Sequence, residues 1–156
     1  MVSPELLRRY PFFAGLDDSQ LRELAMIADE ETHPAGAVLL REGEPSEALF
    51  LLLEGGLELF YRVEEEYRPE LTKEFVIGEI DPGQVFSISA LIEPYRHSAA
   101  ARTTAPSRAV RLEAEALRNL CRADLQLGYT LMQKIAKAAL ERLSDARVML
   151  AAAWAE

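Results

Sequence analysis

Between residues 31 and 112 the sequence consists of short apolar segments separated by residues that favour turns. Residues Leu49 to Leu53 form a continuous apolar run, which Gly55-Gly56 ends. Glu42-Gly43-Glu44-Pro45 and Asp81-Pro82-Gly83 are turn sequences, because proline restricts φ and glycine accepts positive φ. Short strands at intervals of roughly 8–12 residues are typical of β-sandwiches and barrels. This segment therefore predicts a mainly β architecture without βαβ units.

The residues after Gly56 have the period of a half-buried strand. Apolar and other residues alternate there, with Leu57, Leu59, Tyr61 and Val63 separated by Glu58, Phe60 and Arg62. Glu64-Glu65-Glu66 then predicts a solvated hairpin tip, and Pro69 excludes the following residues from a central strand.

Helical patterns flank the β segment on both sides. Asp17, followed three residues later by Gln20, has the spacing of a capping box and predicts a helix that ends near Asp29. After Leu112, residues 113–120 predict a short helix, and Asp124 caps a helix that continues to the C-terminus. The 156 residues fit one domain. We expect N-terminal helices over 1–30, a β segment over 31–112 and C-terminal helices over 113–156.

The last helix carries two apolar stripes. One follows a heptad spacing through Met132, Ala136, Ala139, Leu143, Ala146 and Leu150. The second, Leu131, Ile135 and Ala138, lies beside it. A surface helix needs one apolar stripe, so two stripes indicate two partners. We expect the second stripe to pack on the β segment and the heptad stripe, called the seam below, to form a homodimer. Burial of both faces within one chain is the alternative.

Charge and cysteine content exclude several classes of protein. The formal net charge is −9, whereas a nucleic-acid-binding surface requires a basic patch, so we expect no direct nucleic-acid contact. Cys121 is the single cysteine, which excludes multi-cysteine metal centres. No apolar run reaches the length of a membrane span, and the N-terminus lacks a signal-peptide pattern, so we expect a cytoplasmic protein without membrane contact. No recognisable nucleophile–base motif is present, so we expect no enzyme.

The turn motifs carry a family resemblance. The matching segments are Phe12-Phe13-Ala14-Gly15-Leu16, Arg41-Glu42-Gly43-Glu44, Leu53-Glu54-Gly55-Gly56-Leu57 and Asp81-Pro82-Gly83-Gln84-Val85-Phe86, together with Gly36. With the flanking helices they resemble the cyclic-nucleotide-binding superfamily, and within it the sensor domains of catabolite-activator and Fnr-type bacterial regulators. The resemblance implies a double-stranded β-helix, a jelly-roll-like β-roll, with N-terminal helices and a long C-terminal dimerisation helix.

The phosphate-binding cassette departs from that resemblance. By its alignment Ser87 replaces the family's glycine, Ile88 its ribose-binding glutamate and His97 its phosphate-binding arginine, whereas Ser98 and Ala99 match. Loss of both charged interactions would weaken nucleotide binding by about 3–5 kcal/mol, or roughly 10²–10⁴ in affinity. The candidate ligand-binding residues are Phe86, Ser87, Ile88, Ser89, Ala90, Arg96, His97, Ser98 and Ala99.

These residues favour a non-catalytic sensing domain with a degenerate cassette. Its ligand is expected to be a small anion other than cyclic AMP, or the cassette binds no ligand at all. No cofactor is certain, and a cyclic nucleotide stays open as ligand. The alternatives are a genuine cyclic-nucleotide-binding regulator domain and a ligand-free dimerisation scaffold. The family's DNA-binding regulators continue into a helix-turn-helix, which we do not expect between Asp124 and Glu156, so the chain is either a free-standing sensor or a fragment of a longer regulator.

Overall fold

The strands form two antiparallel sheets in a computed structural model that describes residues 1–65 and 68–155. The first sheet has the order β1 (Ala28–His33), β8 (Ser107–Glu113), β3 (Ala48–Glu54) and β6 (Val85–Phe86). The second has the order β2 (Val38–Leu40), β7 (Ala100–Thr103), β4 (Leu57–Glu65) and β5 (Arg68–Ile80). All pairs are antiparallel, which confirms the predicted mainly β fold with flanking helices.

The helices lie before and after the roll. They are α1 (Pro4–Arg8), α2 (Asp18–Met26), α3 (Ala114–Ala123) and α4 (Leu125–Ala155), with short 3-10 helices at Pro11–Phe13 and Ile88–Leu91. The capping box at Asp17 and Gln20 is present, and Asp124 accepts a hydrogen bond from the Leu127 N–H at 3.1 Å. None of the described helices is long and apolar enough to cross a membrane.

One boundary and one pattern differ from the sequence prediction. Helix α2 ends at Met26 rather than near Asp29, because Ala28 already pairs with Leu112 as the first residue of β1. In β4 the predicted alternation continues past the core, so Val63 is 46% exposed. Phe60 is nevertheless buried, because the Arg102 guanidinium covers its ring at 4.4 Å. The predicted hairpin tip at Glu64-Glu65-Glu66 lies partly outside the described residues.

Two apolar cores explain the continuous apolar run of β3. Leu49, Leu51 and Leu53 face a larger core that the N-terminal helices, α3 and α4 complete. Leu52 faces a smaller core inside the roll, together with Phe86 and other residues of both sheets. A strand that is buried on both faces loses the alternation of a half-buried strand. The position of β3 between the cores therefore accounts for its sequence.

Helix α4 buries one stripe and exposes the other. Leu131 and Ile135 are each 1% exposed and Ala138 is 7% exposed, which confirms that this stripe packs within the chain. The seam residues Met132, Leu143 and Leu150 are 41%, 46% and 60% exposed. Homodimerisation through the seam stays a prediction.

Candidate ligand-binding site

A cavity of about 250 Å³ lies between α4, the β4–β5 hairpin and the Ile88–Leu91 3-10 helix. We call it the α4 cavity. Residues from the roll and from α4 line it, namely Leu40, Leu59, Ile77, Phe86, Ser87, Ile88, Ser89, His97, Ser98, Ala99, Ala139 and Arg142. Seven of the nine predicted ligand-binding residues therefore come together at one cavity, and Ala90 and Arg96 do not line it.

Phe86 and Ser87 lie in the wall of the cavity and are held there by contacts with neighbouring residues. Phe86 is 1% exposed and stacks on Phe50 with ring centroids 4.9 Å apart. Ser87 is left-handed, with φ 62° and ψ 41°, a conformation that is costly for residues other than glycine. Its buried hydroxyl shares a 2.8 Å hydrogen bond with the hydroxyl of Ser46. This bond holds the turn that begins the 3-10 helix.

Ile88 gives the cavity an apolar side chain at the next position. It is the first residue of the 3-10 helix, lines the α4 cavity and packs partly against the larger core. An isoleucine side chain has no hydrogen-bond acceptor. At this position the cavity therefore offers a ligand hydrocarbon contact only.

His97 lines the cavity and has one unpartnered ring nitrogen. Its backbone is held in place, because the His97 N–H donates to Glu44 O at 3.0 Å and its carbonyl accepts from Gly43 N–H at 2.9 Å. Nδ1 is buried and has no hydrogen-bond partner in the described part of the chain. Burial lowers the pKa of His97 below its ordinary value, against the opposing charges of Glu44 and Glu47. The imidazole is therefore predominantly neutral at pH 7.

Arg142 is the charged lining residue that the sequence did not predict, and Leu40, Leu59 and Ile77 are apolar lining residues that it did not predict. Arg142 extends from α4, donates through Nη2 to the Val85 carbonyl of β6, and leaves Nη1 buried without a partner among residues 1–65 and 68–155. Burial lowers the pKa of its guanidinium, and Asp145 and Glu141 oppose that shift. A signal existed in the sequence: Arg142 continues the spacing of the buried stripe Leu131, Ile135 and Ala138, where an apolar residue was expected.

Ala90 and Arg96 have other roles. Ala90 is completely buried in the larger core, and its carbonyl accepts a 2.8 Å hydrogen bond from Arg118. Arg96 is exposed and donates to Gly43 O at 2.8 Å, so its guanidinium is directed to the loop after β2. It lines a separate cleft with Tyr95 and Arg118, whose guanidinium lies 4.0 Å from the Tyr95 ring centroid. Arg96 and His97 are adjacent in sequence, yet only His97 lines the α4 cavity.

The side chains of the cavity suit the binding of a small molecule. Within the described ranges no group of three His, Cys, Asp or Glu side chains could hold a metal ion. Cys121 is partly buried, and burial raises the pKa of its thiol, so it is a poor nucleophile. The α4 cavity combines a mostly apolar lining with a few polar residues, two of which carry an unpartnered nitrogen, and this is the composition of a small-molecule pocket.

Comparison with known proteins gives consistent matches. The family model described as "Cyclic nucleotide-binding domain" matches residues 30–124. A CRP-like cAMP-activated global transcriptional regulator from Mycobacterium tuberculosis is 24% identical over 133 residues. The match covers 85% of this chain but only 57% of the length of that regulator.

Solved structures are similar over almost the whole chain. A candidate cyclic nucleotide-binding protein from Geobacter metallireducens GS-15 is 40% identical with a TM-score of 0.78, and the match covers 92% of this chain and 99% of that one. The N-terminal domain of a transcriptional regulator from Streptomyces coelicolor A3(2) is 25% identical with a TM-score of 0.66, and the match covers 91% and 94% of the two chains.

Proposed function

The chain belongs to the cyclic nucleotide-binding domain family, and from this premise we propose that it is a non-catalytic sensing domain that binds a small anion in the α4 cavity. Binding acts on α4, and α4 passes the change to a second copy of the chain through the seam. The net charge of −9 argues against direct contact of this domain with nucleic acid.

The observation that carries the proposal is the pair of unpartnered nitrogens. His97 Nδ1 and Arg142 Nη1 are buried, belong to residues that line the same cavity, and lack partners within the described chain. An unsatisfied buried polar group destabilises a protein by about 1–3 kcal/mol, and more when it is charged. An anion in the cavity that accepts hydrogen bonds from both nitrogens would remove this energetic cost, and its removal would favour binding.

The cassette supports an anion other than a cyclic nucleotide. Ile88 offers no acceptor to a ribose hydroxyl, and His97 stands where the family resemblance places an arginine. Arg142 is not equivalent to that arginine. Its Nη2 already donates to Val85 O, so fewer N–H groups remain for a bidentate contact with a phosphate. The scaffold of the cassette is retained while its nucleotide chemistry is altered.

The position of Arg142 links the ligand to the helix. Arg142 lies on α4 and bonds to β6 of the roll, so a ligand that pairs with its guanidinium contacts both parts. Ala139 both lines the α4 cavity and belongs to the seam. A ligand shifts α4 only through different affinities for two helix positions, and these two residues give it contacts that depend on the helix position.

Calorimetry with cyclic AMP and cyclic GMP tests the nucleotide part of the proposal. We expect dissociation constants weaker than about 10 μM, or roughly −7 kcal/mol. The double variant Ile88→Glu with His97→Arg restores the family's carboxylate and guanidinium, and each is expected to return about 1.5–3 kcal/mol of affinity. The two gains should be non-additive because both groups hold one ligand.

Submicromolar binding of either nucleotide by the unaltered chain would contradict this expectation. That result would favour the second candidate, a genuine cyclic-nucleotide sensor, which Ser98 and Ala99 support because they line the cavity and match the family pattern. A folded double variant that binds no better than the parent would instead favour the ligand-free dimerisation scaffold.

A further inference from the structure

Most of the lining of the α4 cavity is hydrocarbon. Seven of its twelve lining residues have apolar side chains, namely Leu40, Leu59, Ile77, Phe86, Ile88, Ala99 and Ala139. They come from both sheets, the 3-10 helix and α4. A ligand that fills this space must bury an apolar body, since polar groups placed against these side chains would lose their hydrogen bonds to water.

Five polar residues line the cavity, namely Ser87, Ser89, His97, Ser98 and Arg142, and some of their hydrogen-bonding groups are already used within the protein. The Ser87 hydroxyl is bonded to Ser46 at 2.8 Å, and Arg142 Nη2 is bonded to Val85 O. His97 Nδ1 and Arg142 Nη1 are buried and unpartnered within the described residues. Two donors on residues that line one cavity can match the two oxygens of a carboxylate when the imidazole carries its proton on Nδ1.

The charge of the lining sets the charge of the ligand. Arg142 is the cation among the described residues that line the cavity, and His97 is predominantly neutral because burial lowers its pKa. A single buried cation is matched by a single anionic charge, whereas a phosphate monoester carries about −1.5 to −2 at pH 7.

From the proposed function, on which it rests, we infer that the ligand is a monocarboxylate with a compact apolar body. Its carboxylate lies on Arg142 Nη1 and His97 Nδ1, and its body lies among Phe86, Ile88 and the hairpin residues Leu59 and Ile77. The volume agrees, since about 250 Å³ is below the ~300–1,000 Å³ typical of pockets for drug-sized ligands. A nucleotide would place ribose hydroxyls against Ile88, which offers no acceptor.

Calorimetry on the whole chain tests this with acids and their neutral amides. Benzoate and hexanoate are compared with benzamide and hexanamide, which keep the apolar body and remove the charge, and cyclic AMP and inorganic phosphate are titrated in parallel. We expect each acid to bind at least about tenfold tighter than its amide, because the charge-assisted hydrogen bonds are lost. This comparison needs no variant and so does not depend on the folding of one.

A variant pair then assigns the effect to Arg142. Arg142→Gln is expected to reduce acid binding at least about tenfold and to reduce amide binding much less, because an amide loses only a neutral hydrogen bond. Arg147→Gln removes an exposed arginine of the same helix and is the matched control, which should bind acids as the parent does. Arg142→Gln removes a partly buried cation with an unpartnered nitrogen but also the bond to Val85 O, so melting curves of both variants verify that they are folded.

Amides that bind as tightly as acids, or acid binding that survives Arg142→Gln, would overturn the carboxylate inference. If acids fail while cyclic AMP or phosphate binds in an Arg142-dependent manner, the inference is wrong and anion sensing at the α4 cavity survives. If no probe binds, the carboxylate inference and the proposed sensing function are both wrong.

Discussion

At the scale of single residues, His97 and Arg142 each have a buried nitrogen that finds no hydrogen-bond partner among residues 1–65 and 68–155. The neighbouring buried hydroxyl of Ser87 differs, because it is bonded to Ser46 at 2.8 Å. Buried polar atoms in folded proteins are satisfied with few exceptions, and the exceptions mark strain, catalysis or an unoccupied binding function. Two exceptions at one cavity are therefore more informative than either residue type alone.

The low pKa of His97 predicts how stability depends on pH. In the unfolded chain the imidazole titrates near its ordinary value of 6.5, and in the folded chain it titrates lower because it is buried. As the pH falls, the unfolded state takes up the proton first, so the free energy of unfolding decreases. The contribution is fully present above 6.5 and is lost as the pH falls toward the folded pKa. The charged groups that face His97 are Glu44, Glu47, Arg111 and Arg142.

Urea unfolding between about pH 7.5 and about pH 5.5 measures this loss. His97→Gln should make the decrease in unfolding free energy smaller, whereas His33→Gln, which leaves His97 in place, should retain the His97 part of it. A decrease that is identical in the parent and in His97→Gln would contradict the assignment.

Carboxylate affinity should change in the opposite direction and rise as the pH falls, because a protonated imidazole binds an anion better.

At the scale of the element, α4 carries more exposed apolar surface than its role within one chain requires. Its 31 residues span about 46 Å, and the exposed stripe extends further than the sequence analysis predicted. Leu125 and Tyr129, which are 77% and 66% exposed, continue the heptad spacing of the seam before Met132. Exposed apolar residues with one period along a helix favour a helical partner.

Leu143→Lys tests the seam, because it places a charge in the middle of the predicted helix pair. Analytical ultracentrifugation is expected to give a dimer for the parent at tens of micromolar and a monomer or a much weaker dimer for the variant. Ser144→Lys adds the same charge to the next, exposed residue and should leave the dimer intact. A monomeric parent at these concentrations, or equal effects of the two lysines, would contradict the seam as the interface.

At the scale of the whole molecule, the ligand site and the seam share one helix. Arg142 and Leu143 are adjacent in sequence, one at the cavity and the other on the exposed stripe, and Ala139 belongs to both surfaces. If α4 moves as a rigid element, ligand binding at the α4 cavity and dimerisation through the seam cannot be independent of each other. The energetic coupling between ligand binding and dimerisation must then be reciprocal.

Two ratios of dissociation constants measure the coupling between ligand binding and dimerisation. Saturating benzoate should change the dimer dissociation constant, and the benzoate affinity of the parent dimer should differ from that of the Leu143→Lys monomer. Reciprocity requires the two free-energy differences to agree per binding site, and couplings of this kind are typically about 1–3 kcal/mol. Ser144→Lys again controls for the added charge. If benzoate binds both forms equally and leaves dimerisation unchanged, α4 does not transmit binding in this protein.

The sequence by itself determined the local architecture and much of the candidate site. The turn residues predicted the strands, the Asp17–Gln20 spacing predicted a capping box that is present, and the stripe Leu131, Ile135 and Ala138 predicted the buried face of α4. These features follow from short-range chemistry, because caps, turns and helical periods involve residues within a few positions of each other. The cassette segment, in contrast, was located by its resemblance to the cyclic-nucleotide-binding superfamily.

Only the tertiary structure decided which side chains meet. The helical period shows which residues of α4 share a face, but it does not show which part of the roll lies opposite Arg142. The partner of Arg142 is Val85, which is 57 residues away in sequence. Arg96 and His97 are neighbours that diverge because the Arg96 guanidinium bonds to Gly43 O, a contact 53 residues distant in sequence. Phe60 is buried by Arg102 from the neighbouring strand. Cavities are formed between elements, so their lining depends on packing that no local pattern encodes.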